Sequence, residues 1–358
     1  MMSEELLMLK TSHIVLFILT VTVLLIPNTL AYPINITDNL GCTVTIEKTP
    51  MRIVSLSPCN TEILFAVGAG DRVVAGTMYD TYPPEAVNLT KIGGFSSVNI
   101  EAVVNMSPDL VLAEDGNGLD TINALKSLDL KVVTLNPKTM DDILENIRLV
   151  GNITGNDAAA ESLTADMTQQ IGNITDMTED IPNSRKPRVL YIVWHEPMYA
   201  AGAGSYPDDL IQMAGGNNII QAQGWPVISI EDVVDKNPQI IICSGMGGGS
   251  YTIMEAITGN QVLAQTDAVK NNKVYPADDP NTIELAGPRI VQGLAELHGL
   301  IAPDIQPGEI ESPTQVIETP SGVSADNSND TSDTSSTPGF GMILALGMIL
   351  MVYLKRER

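Results

Sequence analysis

An α/β fold of two similar Rossmann-like lobes, joined by a single long helix with a ligand cleft between them, is what this 358-residue sequence predicts. The first observation behind that reading is an internal repeat. Residues 98–113 (VNIEAVVNMSPDLVLA) recur 130 positions on as residues 228–243 (ISIEDVVDKNPQIIIC), with Ile100/Ile230, Glu101/Glu231, Val103/Val233, Val104/Val234 and Pro108/Pro238 identical. A period that long belongs to paired domain-sized units, not to a solenoid. The second observation is that each copy ends in an unbroken apolar run, 110–113 and 240–243, as parallel strands buried on both faces do. The third is helical periodicity between the copies. Ile143, Ile147 and Val150 share one face of 139–152, Gly155 breaks the pattern, and Leu163, Met167, Ile171 and Ile174 share a face of 157–177.

In chain order, residues 1–31 read as a secretory signal: a mixed leader 1–13, an apolar core 14–26 and a cleavage region 28–31. No cysteine follows closely, so an N-terminal lipid anchor is not expected. The first lobe spans 32–155 and opens with the strand-like 52–56 (RIVSL). The turn Ser57-Pro58-Cys59-Asn60-Thr61 follows, where Asn60 or Thr61 is expected to cap a helix and free N–H groups could meet a polar ligand group. Cys59 has no base beside it in any nucleophile motif and reads as a small buried thiol. In each repeat a short helix carries its acid in the first turn, where a carboxylate favours the positive end of the dipole, and ends at Ser107-Pro108 or Asn237-Pro238.

A connecting helix is assigned to 156–180 and the second lobe to 181–305, starting with 188–194 (RVLYIVW). Trp194-His195-Glu196-Pro197-Met198-Tyr199 leaves that strand and should face the cleft, because ligands of such sheets sit beyond the carboxyl ends of strands. Residues 245–249 (GMGGG) lack the Lys-Ser/Thr of a phosphate loop and read as a flexible cleft loop. Residues 306–337 hold twelve Ser or Thr, six acids, no base and no aromatic, the composition of a disordered stalk. Pro338-Gly339-Phe340, an apolar stretch and Lys355-Arg356-Glu357-Arg358 close the chain, and 338–358 is expected to anchor it to a membrane.

Composition excludes some functions. A net charge of −24 is incompatible with a general nucleic-acid surface and fits either a salty environment or simple solubility. With His13 in the leader and His298 in a C-terminal helix, only His195 remains near a cleft, so no histidine metal cluster can form and a bare-metal importer is disfavoured. His195 could serve as an axial ligand to a metal already chelated, or hydrogen-bond a polar edge. Aromatics are only 4% of the chain, which gives weight to where they fall.

The segments 52–62 (RIVSLSPCNTE), 79–84 (YDTYPP), 99–108, 214–219 (AGGNNI), 225–234 and Gly287-Pro288-Arg289-Ile290 resemble the substrate-binding proteins of metal-chelate ABC importers, and the similarity covers nearly all of 43–301. The resemblance implies an extracytoplasmic carrier of cobalamin or another corrinoid, a ferric siderophore or haem, with an ABC permease dimer and its cytoplasmic ATPase as partners. It implies permease docking by the duplicated Glu101 and Glu231. It also places Tyr79, Phe95 and Trp225 on the walls of a corrinoid cleft, Phe95 standing where cobalamin-binding members carry tryptophan. Cys59, Asn60, Trp194 and His195 complete the expected ligand-binding set. The acid–base pair that precedes Gly287 in those members falls near Asn281 and Leu285, while Asp278 and Asp279 stand upstream. The tail resembles the PGF-type sorting signal of archaeal surface proteins, which implies cleavage and lipid attachment. Sequons at Asn35, Asn88, Asn105, Asn152, Asn173 and Asn329 agree with an exported glycoprotein. An enzyme would need a paired acid and base or a nucleophile that no motif supplies. An adhesion protein would account for export and anchoring, but not for cleft aromatics or paired glutamates.

Overall fold

The structure is a computed structural model and describes residues 32–245 and 249–302. The signal, stalk and sorting-segment assignments, and the middle of the 245–249 loop, lie outside the described residues.

The first lobe opens with an antiparallel hairpin, β1 (Ile34–Thr37) on β2 (Thr43–Ile46). Then follow β3 (Ile53–Ser55), α1 (Pro58–Ala66), β4 (Val73–Gly76), β5 (Thr90–Lys91), α2 (Ile100–Asn105), β6 (Leu110–Glu114), α3 (Leu119–Ser127) and β7 (Val132–Leu135). Strands β3 to β7 form a wholly parallel sheet in the order β5-β4-β3-β6-β7. Its central strands are apolar because helices cover both faces, and Leu110 to Ala113 are all buried.

Helices α4 (Met140–Thr154) and α5 (Asp157–Thr178) lead to the second lobe. Thr139 caps α4 by accepting the Asp142 amide (3.1 Å), and Gly155 ends it in the left-handed region (φ 71°), which glycine enters without Cβ strain. Ile143, Ile147 and Val150 are buried along α4, and Met167, Ile171 and Ile174 along α5. The second lobe comprises β8 (Arg188–His195), β9 (Met198–Ala200), α6 (Tyr206–Met213), β10 (Asn217–Asn218), α7 (Ile230–Lys236), β11 (Ile240–Cys243), α8 (Ser250–Thr258), α9 (Asp267–Lys270), β12 (Val274–Pro276), α10 (Asn281–Glu284) and α11 (Ile290–Ile301). Its sheet runs β10-β8-β11-β12 in parallel, with β9 antiparallel on β8. One buried core continues from β3 and α1 through α4 and α5 to α6 and α11.

The repeat is also a repeat in space. Helix α2 is capped by Asn99, which accepts the Ala102 amide (3.0 Å), and α7 by Ser229, which accepts the Asp232 amide (3.0 Å). Each is followed by a residue at positive φ, Ser107 (46°) and Asn237 (44°), before a strand that pairs with the first strand in sequence of its parallel sheet, β3 or β8. An arginine at the start of that neighbouring strand grips the turn in both lobes. The Arg52 guanidinium donates to the Met106 carbonyl (2.6 Å), and Arg188 to the Asn237 carbonyl (2.9 Å).

One local expectation fails. Neither Asn60 nor Thr61 caps α1, because Pro58 takes its first position, where its missing N–H costs nothing, and Ser57 stands at the cap. Asn60 and Thr61 are instead wholly buried. The Asn60 amide donates to the carbonyls of Leu112 (3.3 Å) and Ala113 (3.0 Å), and the Thr61 hydroxyl donates to Asp80 (2.8 Å).

Candidate functional site

Side-chain contacts join the two lobes. The clearest contact is ionic. Arg289, at the start of α11, donates two parallel hydrogen bonds to Glu62 of α1 (Nε 3.0 Å, Nη2 2.7 Å) and a third to Asp279 (2.9 Å). Its guanidinium also lies 4.2 Å from the centre of the Tyr82 ring. Gly287 comes close enough to α1 that a Cβ there would stand 3.6 Å from the Cys59 carbonyl oxygen. At the other side Asp209 of α6 accepts the Met140 amide (2.8 Å) at the start of α4.

Several aromatics are exposed. Tyr79 and Tyr82 follow β4, Trp194 and Tyr199 form the β8–β9 hairpin, Trp225 follows β10 and Tyr251 follows β11. Water-exposed tyrosine and tryptophan present apolar surface that a ligand or partner can cover.

In the first lobe the turn at Gly94, closed by its amide on the Ser97 carbonyl (3.2 Å), carries Phe95. The Tyr79 ring runs alongside Gly94, and the half-buried Phe95 ring lies on Gly116. Asn117 ties this wall together: its Nδ2 donates to Leu56 O (2.9 Å) and Phe95 O (2.8 Å) while its Oδ1 accepts the Glu114 amide (2.7 Å). In the second lobe Trp194 pairs across the hairpin with Tyr199, which bridges Val227. Tyr206 meets Trp225 edge-on at 5.9 Å, its own hydroxyl donating to the Glu284 carbonyl. Tyr79, Trp194 and Trp225 are thus exposed and Phe95 half-buried. His195 lies 5.4 Å from Trp194, and its Nδ1 is buried without a partner.

Cys59 and Asn60 face inward, so direct ligand contact by their side chains is corrected. Asn60 is spent on the β6 carbonyls, and Cys59 on Glu114, to which its thiol donates (3.2 Å) alongside the Ser57 hydroxyl (2.6 Å). Burial, then the Glu114 charge, pushes the Cys59 thiol well up, and burial also raises the Glu114 carboxyl. A thiol held in that form is no nucleophile. All three cysteines are free, and Cys42 is exposed. Burial likewise raises Glu62 despite its arginine partner, whereas Arg289 is raised by its hydrogen bonds to Glu62. The Glu284 carboxyl is pushed up to about 7 by burial, against the lowering effect of the Ser244 hydroxyl beside it. Among the described residues no group of three or more His, Cys, Asp or Glu side chains is placed to hold a metal ion, and no helix is long and apolar enough to cross a membrane.

Glu101 and Glu231 are exposed in the first turns of α2 and α7. Sequence reasoning gave no role to Tyr82, Tyr251 or the Glu62–Arg289–Asp279 cluster, while Tyr199 stood in the 194–199 segment expected at the cleft. Tyr82 lay within the quoted YDTYPP segment, but nothing local marks an ion pair 227 residues apart.

Two α/β lobes, each built on a parallel sheet and joined through one continuous core, define the class of fold. The chain belongs to the periplasmic binding protein family, whose family model matches residues 53–280. It is 31% identical to an ABC transporter substrate-binding lipoprotein of Bacillus subtilis over 279 residues, covering 76% of this chain and 87% of the relative. It is 30% identical to a cobalamin-binding protein of Halobacterium salinarum, covering 75% and 73%. Among solved structures, the periplasmic vitamin B12 binding protein of Vibrio cholerae superposes with a TM-score of 0.62 at 26% identity, covering 70% of this chain and 96% of that one. A possible iron-binding periplasmic protein of Staphylococcus epidermidis gives 0.60 at 27%, covering 71% and 100%. The chain is thus a substrate-binding protein of an ABC importer and not an enzyme.

Proposed function

We propose that this protein carries a corrinoid, cobalamin or a close relative, in the interlobe cleft and delivers it to an ABC permease dimer driven by a cytoplasmic ATPase. The observation that carries the reading is the placement of Tyr79, Tyr82, Trp194, Tyr199, Trp225 and Tyr251. Each is exposed: Tyr79, Tyr82 and Trp225 lie in segments that follow strands, Trp194 and Tyr199 in the β8–β9 hairpin, and Tyr251 at the start of α8 after β11. Flat walls on both sides suit a broad macrocycle with apolar faces, whose rim amides reach solvent. The cobalamin-binding relative, similar over three quarters of this chain, supports the same cargo. Tyr79, Phe95 and Trp225 form the walls, Trp194 and His195 line the hairpin side, and Glu101 and Glu231 dock on permease arginines. In this reading the carrier works outside the cell membrane, tethered through residues 338–358 or a lipid attached there, with 306–337 as its stalk.

Titration with cobalamin, cobinamide, haem and a ferric siderophore tests it, followed by calorimetry and tryptophan fluorescence. Saturable corrinoid binding that weakens at least tenfold in Trp225→Ala supports the reading. Tight binding of haem or siderophore alone replaces the cargo, with His195 then a candidate axial ligand. Binding of none of the four removes it.

A further inference from the structure

One cation bridges the two lobes. The Arg289 guanidinium spends its edge on Glu62 and Asp279 and offers its face to Tyr82. Glu62 and Tyr82 belong to the first lobe, Asp279 and Arg289 to the second. The arginine side chain is 13% exposed and that of Glu62 3%, so the bidentate pair is shielded from water and salt. An exposed pair would be worth little, but a desolvated fork with matched geometry resists rearrangement. Lysine could keep the charge and one contact, but it has neither the planar fork nor the flat face that this site uses.

The contact also reaches the ligand walls. Tyr82 stands three residues from Tyr79 in the segment that follows β4, and Tyr79 runs along the Gly94 turn that bears Phe95. The inner end of that segment is fixed by Asp80, which accepts from the hydroxyls of Thr77 (2.5 Å) and Thr61 (2.8 Å). Its outer end leans on Arg289. The close approach of Gly287 to Cys59 brings α11 within reach of α1 at this point.

We propose that Arg289 is a positioning residue for the cleft: through Glu62 it sets the spacing of the lobes, and through Tyr82 it holds the Tyr79 wall in place for the ligand. The ligand half of this proposal rests on the corrinoid reading, whereas the spacing half does not.

The test uses the full chain in a Cys42→Ser background, since Cys59 and Cys243 are buried. Nitroxide labels are placed at Asp120→Cys on α3 and Glu255→Cys on α8, both exposed. Distance distributions are measured for the parent and for Arg289→Lys, Glu62→Gln and Tyr82→Leu. Arg289→Lys and Glu62→Gln are expected to broaden the interlobe distribution, whereas Tyr82→Leu leaves it narrow. All three are expected to speed corrinoid dissociation by about tenfold with circular dichroism unchanged. Should Arg289→Lys fail to fold, Glu62→Gln decides the spacing and Tyr82→Leu the wall. Unchanged distances in the ion-pair variants overturn the spacing role, and unchanged dissociation in Tyr82→Leu overturns the wall role. If the parent binds no corrinoid, the cargo assignment fails and the labels still judge the lobe spacing.

Discussion

The Phe95 ring rests directly on Gly116: a Cβ on that glycine would stand 2.5 Å from the ring's Cζ and 2.6 Å from its Cε1. Gly116 is exposed and lies in a single helical turn after β6, so the absence of a side chain is what lets the aromatic wall lie flat. Gly116→Ala is expected to push the ring into the cleft. Corrinoid affinity should fall about tenfold, or ~1.4 kcal/mol, while the melting temperature stays within a few degrees, because no core contact is lost. Calorimetry beside a thermal melt checks this, and unchanged affinity would mean that Phe95 is no part of the wall.

Glu284 gives a pH signature. Its carboxyl is raised by burial from 4.5 to about 7, so the folded protein holds that proton more tightly than the unfolded chain, a difference of ~3 kcal/mol. This contribution is fully present below the unfolded value and is lost as pH rises through about 7. Replacing Glu284 with glutamine should therefore flatten the dependence of the urea midpoint on pH between about 5 and 8, and raise the midpoint at the alkaline end. Glu62, Asp80 and Glu114 are raised as well, so the difference between the two proteins, not either slope alone, isolates the group. Parallel curves would rule the assignment out.

Glu101 and Glu231 occupy equivalent first turns, with Arg52 and Arg188 gripping the equivalent turns beyond. Exposed charges of this kind guide encounter and orientation more than they stabilise the fold. Glu101→Ala with Glu231→Ala is expected to leave ligand affinity within about twofold and the melting temperature within a degree or two, yet to abolish ligand uptake by cells. Normal uptake would reduce both residues to ordinary first-turn acids.

The parts of this architecture that were legible in the sequence are those with a local or duplicated signature. The apolar runs at Leu110 and Ile240, the turns at Pro108 and Pro238, and the Gly155 helix end each follow from a few adjacent residues. The repeat sets Phe95 and Trp225 each six residues before its glutamate in the sequence. Asn60 misled, because its capping tendency was outweighed by Pro58 two residues earlier and by the neighbouring β6 carbonyls. The Glu62–Arg289 pair and the burial of Glu284 are products of how the lobes pack. No short segment encodes contacts between such distant positions, although the Gly287-Pro288-Arg289 motif did mark one end of the pair.

Tyr206 supports Trp225 from behind, edge-on and anchored by its hydroxyl to the Glu284 carbonyl. Two variants separate those roles. Tyr206→Phe keeps the ring and leaves a shielded carbonyl without its donor, a loss of ~1 kcal/mol in stability with little change at the cleft. Tyr206→Leu removes the edge contact, worth ~1 kcal/mol, and frees the indole to leave the wall. The chain has two tryptophans, so a Trp194→Phe background makes fluorescence report Trp225 alone. In that background Tyr206→Leu should shift the emission to the red and weaken corrinoid quenching, whereas Tyr206→Phe should change neither while lowering the melting temperature. Identical spectra for both variants would show that Trp225 is held by the backbone pairing of its own segment, where Gly202 donates to the Gly224 carbonyl (2.8 Å) and Ala200 to that of Pro226 (3.1 Å), and not by Tyr206.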